Sequence, residues 1–442
     1  MRSLVENVDA SLAVFLQHVG ELGLRLVEVE EPLSPIYEAA ARIAEAEKRG
    51  ETILFRVKGY PYRFAANTLP SRSLLYRLLG ARDDREAYAA LDAAERRRGS
   101  LVEAEEGFSS YFEEAGSGLD LLPALKFYEK DGGRYITSSI FVACRGGVCN
   151  ASIHRIMVSD DYAAVRIVPR HLYTLLGQSG GSMEVAVVIG VDPRVSLASA
   201  LSPPLGVFEF ETAAALLGGE MKVCRTPRYR IPVPCGAGMV VEARLGPERA
   251  REGPFTDLLG LYDTVREEPV LHVDAVYVNK RYEPVMHVIL PGGIEHMLLM
   301  GFPREASIYA AVSRAVPRVR KVRLTPAGGM WLHAVVSIAK SHDGDGKTAG
   351  MAALSAHPSL KHVVVVDEDI DPDVPGRVEW AIATRFQADR GLVVIPHARG
   401  STLDPSARDG LTTKLIVDAT APLRERDKYT APRIPGLDKE GA

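Results

Sequence analysis

The 442-residue sequence predicts a multidomain chain of mixed α/β and α+β class. Helix and strand periodicities alternate over the first hundred or so residues. Short β-rich runs broken by Gly, Pro and Asp fill residues 120 to 298, and α/β alternation returns after them. The length also allows two or three separate cores. The expected domains are an N-terminal α/β domain at 1–115, a central β domain at 116–298, a C-terminal α/β domain at 299–423 and an extended arm at 424–442.

In the first part, "LSPIYEAAARIAEAEKRG" and "DDREAYAALDAAERRRGSLVEAEE" carry helical spacing, and "TILFRVKGY" between them reads as a strand. The opening "MRSLVENVDASLAVFLQHVGEL" is helical in pattern, and its acidic residues distinguish it from a signal peptide. The central runs "RYITSSIFVA", "YAAVRIVP", "MEVAVVIGV", "RYRIPVPC" and "VLHVDAVYV" imply a β-barrel or sandwich with helical inserts. Beyond them, "REASIYAAVSRAVP" and "GKTAGMAALSAHP" read as helices. "KVRLTP", "LHAVVSIAK" and "KHVVVVDEDID" read as strands of a largely covered sheet.

Charged residues form 25% of the chain and the net charge is −4, so there is no global electrostatic reason to bind nucleic acid or an anionic membrane. No apolar run is long enough to span a bilayer, and a cytoplasmic location is the expectation. Cys144, Cys149, Cys224 and Cys235 are too sparse for a disulfide framework to be expected, and a four-thiolate zinc site would lack CxxC knuckles. Four Asn and three Gln in the whole chain is the amide depletion of heat-adapted proteins.

Two tempting motifs fail. Gly346-Lys347-Thr348 has Ser341 where a P-loop requires its first glycine, so it reads as a helix start. Asp367, Asp369 and Asp371 imitate half a calcium loop, but Pro372 replaces the turn glycine and Val378 the terminal glutamate, leaving a solvated strand end.

"REGPFTD", residues 251–257, holds Glu252 and Asp257 around a Gly-Pro-Phe turn; they can be an acid–base pair or solvated turn residues. "CNASIHRIMVSDDYAAVRIVPRHLYTLL" adds Asn150, Arg155 and His171, and "FEFETAAALLGGE" adds Glu209. An amide oxygen, an imidazole and a carboxylate can together hold a divalent cation, with a ligand phosphate and water completing its shell. Arg155 can pair with Glu252 while Asp257 carries a proton.

In this set "NASIHR", "IVPRHL", "EFETAAALLGG" and "EGPFTD" resemble, in order, the signature of the UbiD-like decarboxylases, which depend on prenylated FMN. "AANTLPSR", "GVDPRVSLASAL", "HMLLMGFPREASIY", "KHVVVVDEDIDP", "VEWAIATRFQADRG" and "GLTTKLIVDAT" extend the likeness over residues 60 to 420 or so. The resemblance implies a central split β-barrel of flavin-reductase type. It implies that Asn150, His171 and Glu209 bind manganese or magnesium at the cofactor phosphate, with potassium a further candidate ion. Ile153, His154, Arg155, Ile167, Val168, Pro169, Leu172 and Tyr173 would line the flavin, and Lys414 would approach its phosphate. Arg155, Glu252 and Asp257 would form the catalytic network, with Asp257 as proton donor and Glu252 positioning Arg155.

The family's modified flavin adds to an α,β-unsaturated acid, carbon dioxide leaves, and an acid returns a proton. A compact chain depleted in amides is similar to the archaeal branch, which acts on a small phosphorylated acid; an aromatic or polyprenyl-benzoate acid is the alternative. The partners implied are that acid, a flavin prenyltransferase supplying the cofactor, and further copies of the chain. A non-catalytic flavin-binding assembly subunit would be expected to lack the arginine or the proton donor. Three departures from the family pattern stand out: Thr256 replaces the last glycine of "EGPFG", Gly238 replaces an acid, and Glu211 competes with Glu209.

Overall fold

The computed structural model describes residues 7–430 and 432. The chain divides into two compact units, Met1–Pro303 and Arg304–Ala442. In the first unit, strands distant in sequence pair with one another. A four-stranded sheet runs Leu26–Leu33, Thr52–Val57, Arg63–Ala66 and Val285–Val288, so its last strand comes from the end of the predicted central segment. A three-stranded sheet likewise joins Ser100–Glu103 to Glu220–Arg225 and Pro232–Pro234.

The framework of the unit is a nine-stranded sheet. Its path is Arg134–Ile136, Ile156–Val158, Ala163–Val165, Arg266–Asn279, Met239–Glu252, Met183–Ile189, Ile140–Arg145 and Val148–Ile153. Phe112–Gly116 also pairs with Arg266–Asn279. The two 14-residue strands Met239–Glu252 and Arg266–Asn279 form its centre, in antiparallel register from Met239↔Val278 to Glu252↔Arg266. Apolar residues such as Phe141, Val185, Val187, Val241 and Val276 point into one core, which also takes in Ile43, Phe55 and Phe64. Burial of such side chains supplies the bulk of the folding drive.

The second unit has a five-stranded sheet ordered Val319–Leu324, His333–Ile338, His362–Asp367, Leu411–Ala419 and Leu392–Arg399. Its middle three strands are parallel and its outer pairs antiparallel. The "GKT" segment lies in the first turn of the helix Asp345–Ala356, as the sequence implies. Asp367 and Asp369 differ from the expected solvated strand end: both bind Arg385, at 2.9 and 2.7 Å, because the helix Pro375–Arg385 returns its last residue to them.

Other local expectations also change. The N-terminal helix covers only Leu12–Gln17, and residues 1–6 of that pattern lie outside the described residues. "GSLVEAEE" is not helical, because Ser100–Glu103 finds a parallel partner in Glu220–Arg225. The C-terminal arm opens with a 3₁₀ helix, Leu423–Tyr429; beyond it, only Thr430 and Pro432 belong to the described residues.

The cysteine expectation is overturned. Cys144 is bonded to Cys149 and Cys224 to Cys235. The first two stand opposite each other in a tight hairpin; in the second pair Cys224 lies on the strand Glu220–Arg225 and Cys235 follows directly on the strand paired with it. Sparse cysteines can be local clips wherever strand pairing brings two of them face to face. A four-thiolate zinc site is excluded with them.

Two measurements check this fold. Intact-mass analysis after alkylation of the unreduced, denatured protein should show no adducts, and four after reduction; adducts without reduction would contradict both clips. Gly132 packs so that an added Cβ would lie 2.1 Å from the Gly253 carbonyl oxygen. Gly132→Ala should therefore lower denaturant stability by about 1–3 kcal/mol, and an unchanged midpoint would refute that contact.

Candidate active site

Arg155 occupies the short link between the strands Val148–Ile153 and Ile156–Val158. Its guanidinium meets three carboxylates. Nε and Nη2 donate to the two oxygens of Glu252 at 2.8 and 3.1 Å, Nη1 donates to Asp257 Oδ2 at 2.7 Å, and Nη2 also donates to Asp263 Oδ2 at 3.1 Å. The Phe255 ring lies beneath, its centroid 4.2 Å from the guanidinium carbon.

The hairpin explains the convergence. Glu252 ends one long strand opposite Arg266, and Phe255–Thr256 pairs back on Tyr262–Asp263. This fold-back puts Glu252, Asp257 and Asp263 around one point. Asp131 fastens it from outside, accepting the Thr256 N–H at 3.2 Å.

Burial alone would weaken the Arg155 charge, but hydrogen bonds and attraction from Glu252, with Asp257 and Asp263, more than reverse it and raise its pKa. For Asp263, burial favours the neutral acid. The hydrogen bonds and charges of Arg266 and Arg155 outweigh it and hold that carboxyl below its ordinary value. Glu252 is fully buried, whereas 17% of the Asp257 side chain reaches solvent, so Asp257 is the member best placed to exchange a proton.

The second cluster lies along the same chain segment. Glu209, at the start of the helix Glu209–Leu216, is 1% exposed. It accepts from Asn150 Nδ2 at 2.7 Å and from the Ala151 N–H at 2.7 Å, and His171 Nδ1 stands 3.9 Å away. No Lys or Arg pairs with it among the described residues. A buried carboxylate with only neutral donors calls for a cation.

Ser152 gives a second reason. Its Oγ lies 2.9 Å from both Asn150 Oδ1 and His154 Nε2. Burial pushes the His154 imidazole down to about 4, and its Nδ1 must donate to the Arg166 carbonyl at 3.1 Å, so Nε2 is an acceptor. One hydroxyl proton thus faces two acceptors. A cation on Asn150 Oδ1 would leave that proton to His154. The donor set therefore fits a hard divalent ion, though among the described residues no three His, Cys, Asp or Glu side chains are placed to hold a metal ion by themselves, so a bound ligand must complete the shell. Glu211 is at the surface, 3.5 Å from Arg98, which leaves Glu209 as the carboxylate for this role.

Of the other residues expected at a flavin, Ile153 and Val168 are partly exposed, Pro169 is exposed and Tyr173 is 52% exposed. Ile167 and Leu172 are buried in the core and can offer only main-chain groups. Lys414 belongs to the second unit, where its Nζ donates to the carbonyls of Pro358 and Leu360 at 2.5 and 2.8 Å, and burial lowers its pKa. One of its three donors remains for an anion. Asp263, Ser152 and His296 were not singled out from sequence. His296 is half-buried, and its pKa is lowered by desolvation, with the Asp257 charge opposing the shift. Asp263 had a legible signal in "YDTVR", an acid three residues before an arginine just beyond "EGPFTD".

The chain belongs to the UbiD carboxy-lyase family: models of the 3-octaprenyl-4-hydroxybenzoate carboxy-lyase N-terminal, Rift-related and C-terminal domains match residues 24–95, 102–294 and 297–419. It is 51% identical over 433 residues to the anhydromevalonate phosphate decarboxylase of Aeropyrum pernix, covering 97% of each chain. It is also similar to the UbiD-class enzyme HmfF from Pelotomaculum thermopropionicum in complex with FMN, with TM-score 0.90, 37% identity and coverage of 98% and 99% of the two chains. An evolved dimeric form of that enzyme in complex with prFMN matches with TM-score 0.86 and 34% identity over 98% and 99%.

Isothermal titration with manganese should separate the two glutamates. Glu209→Gln should weaken binding about 10-fold or more, and Glu211→Gln should leave it unchanged. Equal loss in both variants would contradict the assignment.

Proposed function

We propose that the chain is a prenylated-FMN-dependent decarboxylase that converts trans-anhydromevalonate 5-phosphate to isopentenyl phosphate in an archaeal-type mevalonate route. The supporting observation is the Arg155 guanidinium held between Glu252 and Asp257 over Phe255, with Asp257 the more accessible acid. The 51% identity to the Aeropyrum pernix enzyme, over nearly its full length, supports the substrate. In this reading the nine-stranded sheet is the split β-barrel that carries the flavin.

Asn150, His171 and Glu209 would hold a manganese or magnesium ion at the cofactor phosphate, with potassium as an accessory ion. Ile153, His154 and Arg155 would line the ring system with the segment Ile167–Pro169 and the Leu172–Tyr173 pair. When bound, the prenylated flavin supplies the electron sink that allows the carboxylate to leave.

The protein's own part is orientation and one proton. The substrate carboxylate must lie near Arg155 yet be free to depart. Glu252 occupies two of the guanidinium hydrogen bonds, which fixes the plane of Arg155 without a flexible partner. Asp257 then delivers its proton to the carbon that loses carbon dioxide. A flavin prenyltransferase supplies the cofactor, and the working form is a homo-oligomer.

The test is co-expression with a flavin prenyltransferase followed by native mass spectrometry and assay of carbon dioxide release. Bound prenylated FMN plus a divalent metal, and release from anhydromevalonate phosphate in preference to cinnamic and hydroxybenzoic acids, is the expected result. Asp257→Asn should lower kcat by about 10²–10⁴-fold with the flavin still bound. A folded, metal-loaded protein without flavin would refute the cofactor, and release only from aromatic acids would refute the substrate.

A further inference from the structure

We propose that Asp263, fixed by Arg266, is a positioning residue that holds the outer edge of the Arg155 guanidinium and keeps the cluster's exchangeable proton on Asp257. The proposal rests on the decarboxylase reading above and adds a fourth side chain and a charge partner to its acid network.

The four side chains are not equivalent in their bonding. Asp263 is the most heavily bound carboxylate: Oδ2 accepts from Arg155 Nη2 at 3.1 Å and Arg266 Nη1 at 2.6 Å, and Oδ1 accepts from Arg266 Nη2 at 2.7 Å and the Thr264 N–H at 2.9 Å. Glu252 has the bidentate Arg155 contact and no solvent. Asp257 has one charged donor, Arg155 Nη1, and one main-chain donor, the Leu258 N–H at 2.8 Å.

Three carboxylates face two guanidinium groups, which leaves one negative charge in excess within a largely buried cluster. One proton removes that excess. Asp263 is the carboxyl least able to take it, because four donors already point at its oxygens. Glu252 has no path to water. Asp257 has the fewest charged donors and the greatest exposure, which makes it the carboxyl open to a proton. Arg266 is therefore needed for the proton's address as much as for the geometry, since without it Asp263 would draw more strongly on Arg155.

The charged and titratable groups around Asp257 come from five directions. Arg155 comes from the strand link and Glu252 from the strand end. Asp263 and Arg266 come from the hairpin and the following strand, Asp131 from the turn behind Thr256, and His296 from the helix Ile294–Ala315. Asp263 and Arg266 can be altered without touching a residue that meets the substrate in the proposed reaction.

Removing the Asp263 charge takes away like-charge repulsion and leaves more of Arg155 for Asp257, so the Asp257 carboxylate is favoured. Removing the Arg266 charge acts in the opposite sense. The experiment is a carbon-13 carboxyl titration of Asp257 in the full-length, cofactor-free protein, run beside pH profiles of turnover in the loaded enzyme. Asp263→Asn should move the Asp257 titration, and the alkaline limb of kcat, to lower pH by about one unit. Arg266→Gln should move both to higher pH, and Arg266→Lys should restore the wild-type position. Both substitutions should lower kcat about tenfold with KM little changed.

Titrations that stay in place, or that move the same way in Asp263→Asn and Arg266→Gln, would overturn the proposal even if kcat falls, because a mere structural prop would do only the latter. Should Arg266→Gln fail to fold, Asp263→Asn and Arg266→Lys still decide between the alternatives. If the wild-type loaded enzyme releases no carbon dioxide, the decarboxylase reading fails, and the titration still decides what Asp263 does.

Discussion

The sharing of one buried guanidinium among three carboxylates is the constraint around which the first unit is arranged. Removing the guanidinium from such a set costs about 3–5 kcal/mol, because carboxylate charge is left behind with little access to water. The cost disciplines the backbone. Glu252 must end its strand at the register where it faces Arg266, and the next residues must fold straight back so that Asp257 and Asp263 meet the same cation. The Gly253–Pro254 peptide, the Asp131 hydrogen bond and the close approach of Gly132 all lie at that turn. The geometry is over-determined, and over-determined geometry can hold an acid at one position.

A second excess of negative charge sits at the other end of the same segment, and it calls for a different remedy. Period-two alternation puts Asn150 and Ser152 on one face of the strand Val148–Ile153, toward Glu209, and Arg155 follows where the strand ends. Glu209 is more deeply buried than Asp257 and receives hydrogen bonds only from an amide and a main-chain N–H. A proton would satisfy its charge but not the crowded acceptors at Asn150 and His154; a cation would satisfy both. One cluster thus asks for a mobile proton and the other for a fixed ion, a few residues apart on one strand and the link that follows it. That division suits a site where a phosphate must stay still while a carbon is protonated.

Much of this was legible in the sequence because it depends on local spacing. Asn150, Arg155, Glu209, Glu252 and Asp257 stand out as residue types in a rare order, and the structure brings them into two clusters. The α/β ends and β-rich centre were also visible, since period and punctuation report them directly. What was hidden depends on pairing between distant segments. Ser100–Glu103 follows a strong helix and reads as its continuation until Glu220–Arg225 offers it a parallel edge. Val285–Val288 joins a sheet begun more than two hundred residues earlier. The disulfides were missed for the opposite reason: cysteine density is a global statistic, whereas two strands facing each other across a hairpin are a local event. Asp263 was passed over because its role appears only once the hairpin closes.

Two of the three departures from the family's motif follow from the same geometry. A glycine is needed where φ is positive or where another backbone comes too near for a Cβ. Thr256 satisfies neither condition: it lies in a short strand outside the positive-φ positions, and its N–H is already committed to Asp131. A side chain can stand there without disturbing Asp257. Gly238 is the reverse case. An added Cβ would come within 2.6 Å of the Val285 carbonyl oxygen, on the strand that closes the four-stranded sheet. An acidic side chain at that place would push apart the contact that joins the four-stranded sheet to the large one. The motif is therefore relaxed at the turn, where the backbone permits it, and altered to glycine where the packing of two sheets demands it.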